Sequence, residues 1–203
     1  MRSVARLRDF IAAFTRLIDS ADQDEARILA DGKKLLSTLI SHDDWLPDHC
    51  SQANPDRYQQ YLLYCDPLER FSVVSFVWGP GQTTPVHDHT VWGMVGVLRG
   101  AETCEEFAFD AASHRLHPRG SHHLPSGDVD LVSPRIGDIH KVSNALSDRA
   151  SISIHVYGAN IGAVKRHVYD PETGSVETFV SGYSSAVIPN IWDRSKELAA
   201  TDQ

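Results

Sequence analysis

The spacing of apolar residues changes period part-way along the chain. From Val4 to Ile18 the positions Val4, Leu7, Ile11, Phe14, Leu17 and Ile18 recur at steps of three and four, the repeat of an amphipathic helix, and Ser3 stands where it can cap the start. A second helical region is predicted from about Asp22 to Ile40, with Ile28, Leu29, Leu35, Leu36, Leu39 and Ile40 apolar and an interruption expected near Asp31-Gly32. Asp43 to Pro55 reads as an irregular connection, broken by Pro47, Asn54 and Pro55. From Tyr58 onward the period is two. Strands are predicted over residues 58–64, 71–78, 94–98, 103–109, 129–133, 139–143, 151–156 and 176–179, with Pro171-Glu172-Thr173-Gly174 as a hairpin turn. Many short antiparallel strands after two helices describe a mainly β protein with a jelly-roll barrel. The expected organisation is a single domain over residues 1–203. A helical N-terminal region (1–45) covers one end of the barrel (57–183), and a polar, peripheral tail follows (184–203).

Composition narrows the partners. A chain of 203 residues is long enough for one substantial core. Nineteen basic against 27 acidic residues give a formal charge of −8, and no basic run appears, which argues against nucleic acid or an anionic membrane surface as a partner. The three cysteines, Cys50, Cys65 and Cys104, form no Cys-x-x-Cys pair, so a disulfide scaffold is not expected and a reducing, cytoplasmic setting is. No apolar stretch approaches the ~20 residues of a membrane span, and Arg2, Arg6, Arg8 and Asp9 interrupt what would be the apolar core of a secretion signal. No obligate protein partner is indicated.

Histidine placement adds chemistry. On an extended strand His87 and His89 share one face, within reach of a single ion, and His140 follows the Gly137-Asp138 turn at the head of another predicted strand. Three imidazoles suit a divalent transition metal better than calcium or magnesium. Gly81 and Gly100 flank the first pair, and Gly137 and Asn144 bracket His140, as tight turns around a site require. His42, His49, His114, His117 and His167 read as surface residues, and the adjacent His122 and His123 point to opposite sides of an extended chain. In the stretch 151–157, alternation puts Ser153, His155 and Tyr157 on one face, where hydroxyl, imidazole and phenol can bond in series.

Gly81-x5-His87-x-His89 with Gly100, followed by Gly137-x2-His140-x3-Asn144, resembles the two motifs of the cupin superfamily. Many cupins carry a glutamate ligand four residues after His-x-His. Gly93 stands there instead, which leaves three histidines and narrows the resemblance to the thiol dioxygenases of the cysteine dioxygenase family, over roughly residues 57–170. That resemblance implies a cupin barrel, Fe(II) held by His87, His89 and His140, and oxidation of a small thiol by O2 to its sulfinic acid. Three neutral ligands leave the ion its full double charge, so an anionic thiolate is a favoured further ligand. The family's Ser-x-His-x-Tyr stretch aligns with Ser153, His155 and Tyr157, and implies that Tyr157 donates a hydrogen bond in the reaction while His155 and Ser153 hold it. Two departures bear on substrate. Gly93 aligns with the cysteine that crosslinks to the tyrosine in mammalian-type enzymes, and neither Cys65 nor Cys104 matches it, so no crosslink is expected. The family's carboxylate-binding arginine is replaced by a glutamine, Gln60 or its neighbour Gln59. Arg166, beyond Gly158, Asn160 and Gly162, is then the carboxylate-binding candidate, in the manner of the bacterial glutamine-type enzymes that resemble 3-mercaptopropionate dioxygenases. The alternatives are L-cysteine as main substrate, a zinc or manganese cupin isomerase, and a non-catalytic metal-binding cupin.

Overall fold

The structure, a computed structural model, describes residues 3–192. Arg2 and the last part of the expected tail, residues 193–203, lie outside them. Helix α1 (Ala5–Ala21) buries Leu7, Phe10, Ile11, Phe14, Leu17 and Ala21, the face its apolar spacing predicts. The N-cap position falls to Val4, which has no capping side chain, and Ser3, expected there, lies one residue earlier and accepts from the amide of Ala5 at 3.3 Å. Helix α2 (Glu25–Ile40) starts later than predicted because Asp24 caps it, its carboxylate accepting from the amide of Arg27 at 3.2 Å.

The helix does not break at Gly32. A Cβ there would lie 2.4 Å from Met94 Cε and 2.9 Å from a ring carbon of Phe14. The glycine therefore lets α2 approach the sheet and α1 closely, a packing role that periodicity cannot distinguish from a helix break.

Among the described residues eleven strands follow: β1 (Gln59–Cys65), β2 (Ser72–Trp78), β3 (Val86–His87), β4 (Gly93–Arg99), β5 (Ala101–Asp110), β6 (Arg115–Pro125), β7 (Val129–Val132), β8 (Ile139–Asn144), β9 (Ser151–Tyr157), β10 (Arg166–Tyr169) and β11 (Val176–Phe179). They form a five-stranded sheet in the order β1-β2-β9-β4-β7 and a six-stranded sheet in the order β11-β10-β3-β8-β5-β6, which together make the cupin jelly-roll.

The five-stranded sheet separates two cores. On its outer face Val73, Val77, Met94, Ile152, Ile154 and Val156 pack against α1 and α2. On its inner face Val74, Phe76, Trp78, Val97 and Tyr157 meet Cys104, Leu124 and Val142 of the other sheet. The helices thus cover a face of the barrel, not the end of it that their position in the chain suggested. Covered on both sides, β2 and β9 are buried at every position.

Three strands were absent from the predicted set. β3 is two residues long and β10 four, too short for a visible period. β6 is long but reads as a loop, being polar, mostly exposed and interrupted by Pro118 and Gly120. It runs along the edge of its sheet, and Pro118 pairs with Phe107 at a bulge, where a missing amide hydrogen costs nothing. The segment after β11 is less peripheral than expected. The Ser184 amide donates to the Gln60 carbonyl at 2.8 Å, and Ile191 is buried in the helical core.

Candidate metal centre and active site

The strand pairing brings the three predicted histidines together. His87 lies directly opposite His140 where β3 pairs with β8, and His89 follows two residues later on the same face. The three rings form a near-equilateral triangle, with centroids 4.9, 4.9 and 4.8 Å apart. One nitrogen of each is engaged away from the centre. His87 Nδ1 donates to the Pro85 carbonyl at 3.1 Å and His89 Nδ1 to an Asp138 carboxylate oxygen at 2.9 Å, while His140 Nδ1 faces Cys104 Sγ at 3.5 Å. Each ring is left with Nε2 as its free donor, and donor atoms of the three lie within 4.8 Å of one another.

All three rings are buried. Burial, and then the neighbouring His89, pushes His87 down to about 3, and burial holds His140 well below its ordinary value, so both are neutral, with a ring lone pair free to ligate. Three preoriented imidazoles in a buried pocket fit a divalent transition ion.

Asp138 organises this centre, a role that its place in a Gly-Asp turn does not reveal. Its carboxylate also accepts from the amides of His89 and Thr90 at 3.0 and 2.9 Å. Burial works to raise its carboxyl, but the bonds from His89 and the two amides outweigh that and hold it below the usual carboxylate range. Thr90 has φ +59°, strained for a β-branched residue, and its amide is locked by Asp138. Asp88, between the two ligands, points the other way. It accepts from the amide and Nδ1 of His167 and from the Tyr169 hydroxyl at 2.8, 2.8 and 2.9 Å, fastening β3 to β10. His167, read as a plain surface residue, is thus part of the scaffold.

The predicted polar face of β9 is present and continuous. Trp78 Nε1 donates to Ser153 Oγ at 3.2 Å, Ser153 Oγ bonds His155 Nε2 at 2.8 Å, and His155 Nδ1 bonds the Tyr157 hydroxyl at 2.7 Å. Tyr157 stacks on His89, with ring centroids 5.3 Å apart, so the chain of bonds ends beside the histidine triangle. A Cβ at Gly93 would come within 2.8 Å of Tyr157 Cδ1, so the phenol ring fills the space a side chain would need.

Arg166 opens β10 and is 4% exposed. One terminal nitrogen donates to Ser181 Oγ at 2.7 Å and the guanidinium lies over Phe179, 4.7 Å from the ring centre. Its Nε is buried without a partner, and no carboxylate pairs with it among the described residues. The charge of Arg166 is felt at His87, His155 and Tyr157.

Of the two glutamines, Gln60 shares the inward face of β1 with Tyr58 and Leu62, which pack in the inner core. Gln59 shares the other face with Tyr61 and Leu63. Gln60 Nε2 donates to the Ser181 carbonyl at 3.4 Å, so Gln60 and Arg166 meet at Ser181.

Cys104, His122 and Asp130 form a second group of donor atoms within 4.8 Å of one another. Cys104 and Asp130, with His140, line a cavity of about 450 Å³ that neither Tyr157 nor Arg166 lines.

The buried imidazoles carry a pH dependence. A histidine depressed in the folded state contributes stability above its unfolded value, and the contribution is lost as pH falls. Metal-free protein should therefore weaken from about pH 6.5 downward, by as much as about 5 kcal/mol from His87 alone at the acid end, with His140 and His155 acting in the same direction. Urea midpoints of metal-free protein at neutral and mildly acid pH read this directly, and equal midpoints would mean the rings are not held neutral.

Cysteine dioxygenase type 1 of Danio rerio is 25% identical over 114 residues, covering 54% of each chain. The chain thus spans about half the length of this curated relative. Among solved structures, a Klebsiella pneumoniae protein with a double-stranded β-helix domain aligns at a TM-score of 0.45 and 15% identity, covering 68% of this chain and 97% of that one. A cupin-like protein of Thermotoga maritima aligns at 0.42 and 19%, covering 67% and 87%. The family model for cysteine dioxygenase type I matches residues 34–178, a span that includes the three histidines, the Ser153–Tyr157 face and Arg166, and the chain belongs to that family.

Proposed function

We propose that the protein is a thiol dioxygenase that uses Fe(II) and O2 to oxidise a small thiol carboxylate, 3-mercaptopropionate in first place, to its sulfinic acid. The observation that carries the substrate class is Arg166, a buried guanidinium with no acidic partner among the described residues and an unpartnered Nε. An unpaired buried charge is costly, and a substrate carboxylate supplies the missing anion through the planar fork. His87, His89 and His140 would hold the metal, which supplies a centre where a thiolate and O2 meet so that both oxygen atoms end on sulfur. Tyr157, kept beside His89 by His155 and Ser153, donates a hydrogen bond to the reacting groups. Gln60 steadies the arginine through their shared contact with Ser181.

L-cysteine would bring an ammonium as well. Asp138, which orients His89, and Asp88, between His87 and His89 in the chain, are each engaged by three donors of the protein itself and offer that charge no free partner, which favours a thiol lacking it. The function, the compartment (cytoplasm) and the organisation as a single domain over 1–203 with a small thiol and O2 as the only partners form one consistent proposal.

Oxygen uptake by iron-loaded protein against 3-mercaptopropionate, L-cysteine and cysteamine tests it. A higher kcat/KM for cysteine would move the assignment to that substrate, and no uptake with any thiol would end it.

A further inference from the structure

The relay that ends at Tyr157 has a second end, and a carboxyl group sits there. Glu102 on β5 is fully buried inside the barrel. It accepts from Ser151 Oγ at 3.4 Å, and it stands close enough to Ser153 and Trp78 to feel their donors. Its other oxygen, Oε2, has no partner, and no basic side chain pairs with it among the described residues. The groups around it are Ser151 and Ser153 from β9, Trp78 from β2, and its register partners Asn144 from β8 and Leu124 from β6. The titratable groups that sense its charge are Cys104 and Tyr157.

We propose that Glu102 is the proton store of this site, a positioning residue that receives, through Ser153, His155 and Tyr157, the proton a thiol gives up on binding. The proposal rests on the thiol-binding function put forward above.

Buried and held well below its ordinary value, His155 is neutral and carries one ring proton. Trp78 is a donor only, so the proton of Ser153 goes to one of two neighbours, its hydrogen-bond partner His155 or the nearby Glu102. In one arrangement Ser153 donates to His155 Nε2, Nδ1–H donates to the Tyr157 oxygen, and the phenol proton points into the site. In the other, Nε2–H donates to Ser153, Tyr157 donates to Nδ1, and the serine proton points at Glu102.

An ionised Glu102 favours the second arrangement. A thiol proton arriving at the Tyr157 oxygen then displaces the phenol proton to Nδ1, the Nε2 proton to Ser153, and the serine proton to Glu102. Tyr157, His155 and Ser153 each end with one proton as they began, Glu102 gains one, and the sulfur keeps its electron pair as thiolate. The relay has passed into the first arrangement, with the phenol free to donate to the bound substrate. Burial raises Glu102 to about 7, a value from which it can both take and return a proton under physiological conditions.

The test reads the tautomer of His155 in metal-free protein by ¹⁵N NMR, assigned by difference from His155→Gln. Wild type should pass from Nδ1–H to Nε2–H as pH rises through the Glu102 value, and Glu102→Gln should stay in the Nδ1–H form throughout. Ser153→Ala, which cuts the chain of bonds, serves if Glu102→Gln does not fold, and it too should abolish the pH-linked change. A His155 that keeps one tautomer in wild type, or one that still switches in the variants, overturns the proposal.

A second measurement follows proton release in weak buffer when 3-mercaptopropionate binds iron-loaded protein without oxygen. Below the Glu102 value Glu102 is already filled, so the comparison is made above it. Glu102→Gln should release about one proton per thiol and wild type markedly less, and equal release would overturn storage. Tautomer switching in a protein that oxidises no thiol would support the coupling to Glu102 and overturn the thiol function instead.

Discussion

Replacing His89 by alanine should weaken the hold on a divalent transition ion by more than about a hundredfold and abolish thiol-dependent oxygen uptake. The expectation comes from what His89 joins. Its ring is 1% exposed, centred 4.9 and 4.8 Å from those of His87 and His140, and oriented by Asp138 at 2.9 Å. Removing it leaves two ligands, which make a weak site. Orienting partners alone are worth about 10- to 100-fold in metal affinity, so Asp138→Asn should fall in that range and the ligand itself beyond it. Metal content by elemental analysis and competition with a chelator measure both. Retention of stoichiometric metal by His89→Ala would show that the triangle is not the metal site.

The second large effect is expected at Arg166. Arg166→Ala should lower kcat/KM for 3-mercaptopropionate by roughly a hundredfold or more, mostly through KM, because it removes charge-assisted hydrogen bonds worth about 1.5–3 kcal/mol each. Cysteamine, with no carboxylate, should be little affected. Since Arg166 also contacts Ser181 and Phe179, its loss disturbs packing as well as charge. Arg166→Lys separates the two, keeping a cation and a long stem but losing the fork. Equal losses for both thiols would clear Arg166 of carboxylate binding.

The parts of the site that were legible in the sequence share a property. His87-x-His89 and Ser153-x-His155-x-Tyr157 are each a short run on one strand, where a period of two decides which side chains face together. The parts that were not legible join residues far apart in the chain. Asp138 orients His89 across 49 positions, and Cys104 meets His140 across 36. Glu102 sits at the end of the relay because β5 packs across the barrel from β9, and nothing in Gly100-Ala101-Glu102 announces a buried carboxyl. The missed strands have the same origin. β3 and β10 exist because they fasten to each other and to β8, through Asp88 and the register of His87 with His140, and not through any propensity of their own.

By itself the sequence determined the helical start, eight of the strands, the two histidine-bearing motifs and the polar face of β9, because each is written in local periodicity. Only the tertiary structure decided that α1 and α2 lie over a face of the sheet and that Gly32 is a point of close approach. It alone decided that Gln60 and not Gln59 faces inward. It alone gave the relay a carboxyl at its far end. The reason is the same throughout. Burial and the convergence of distant strands set the protonation and orientation of a polar side chain, and neither quantity exists until the sheets close on one another.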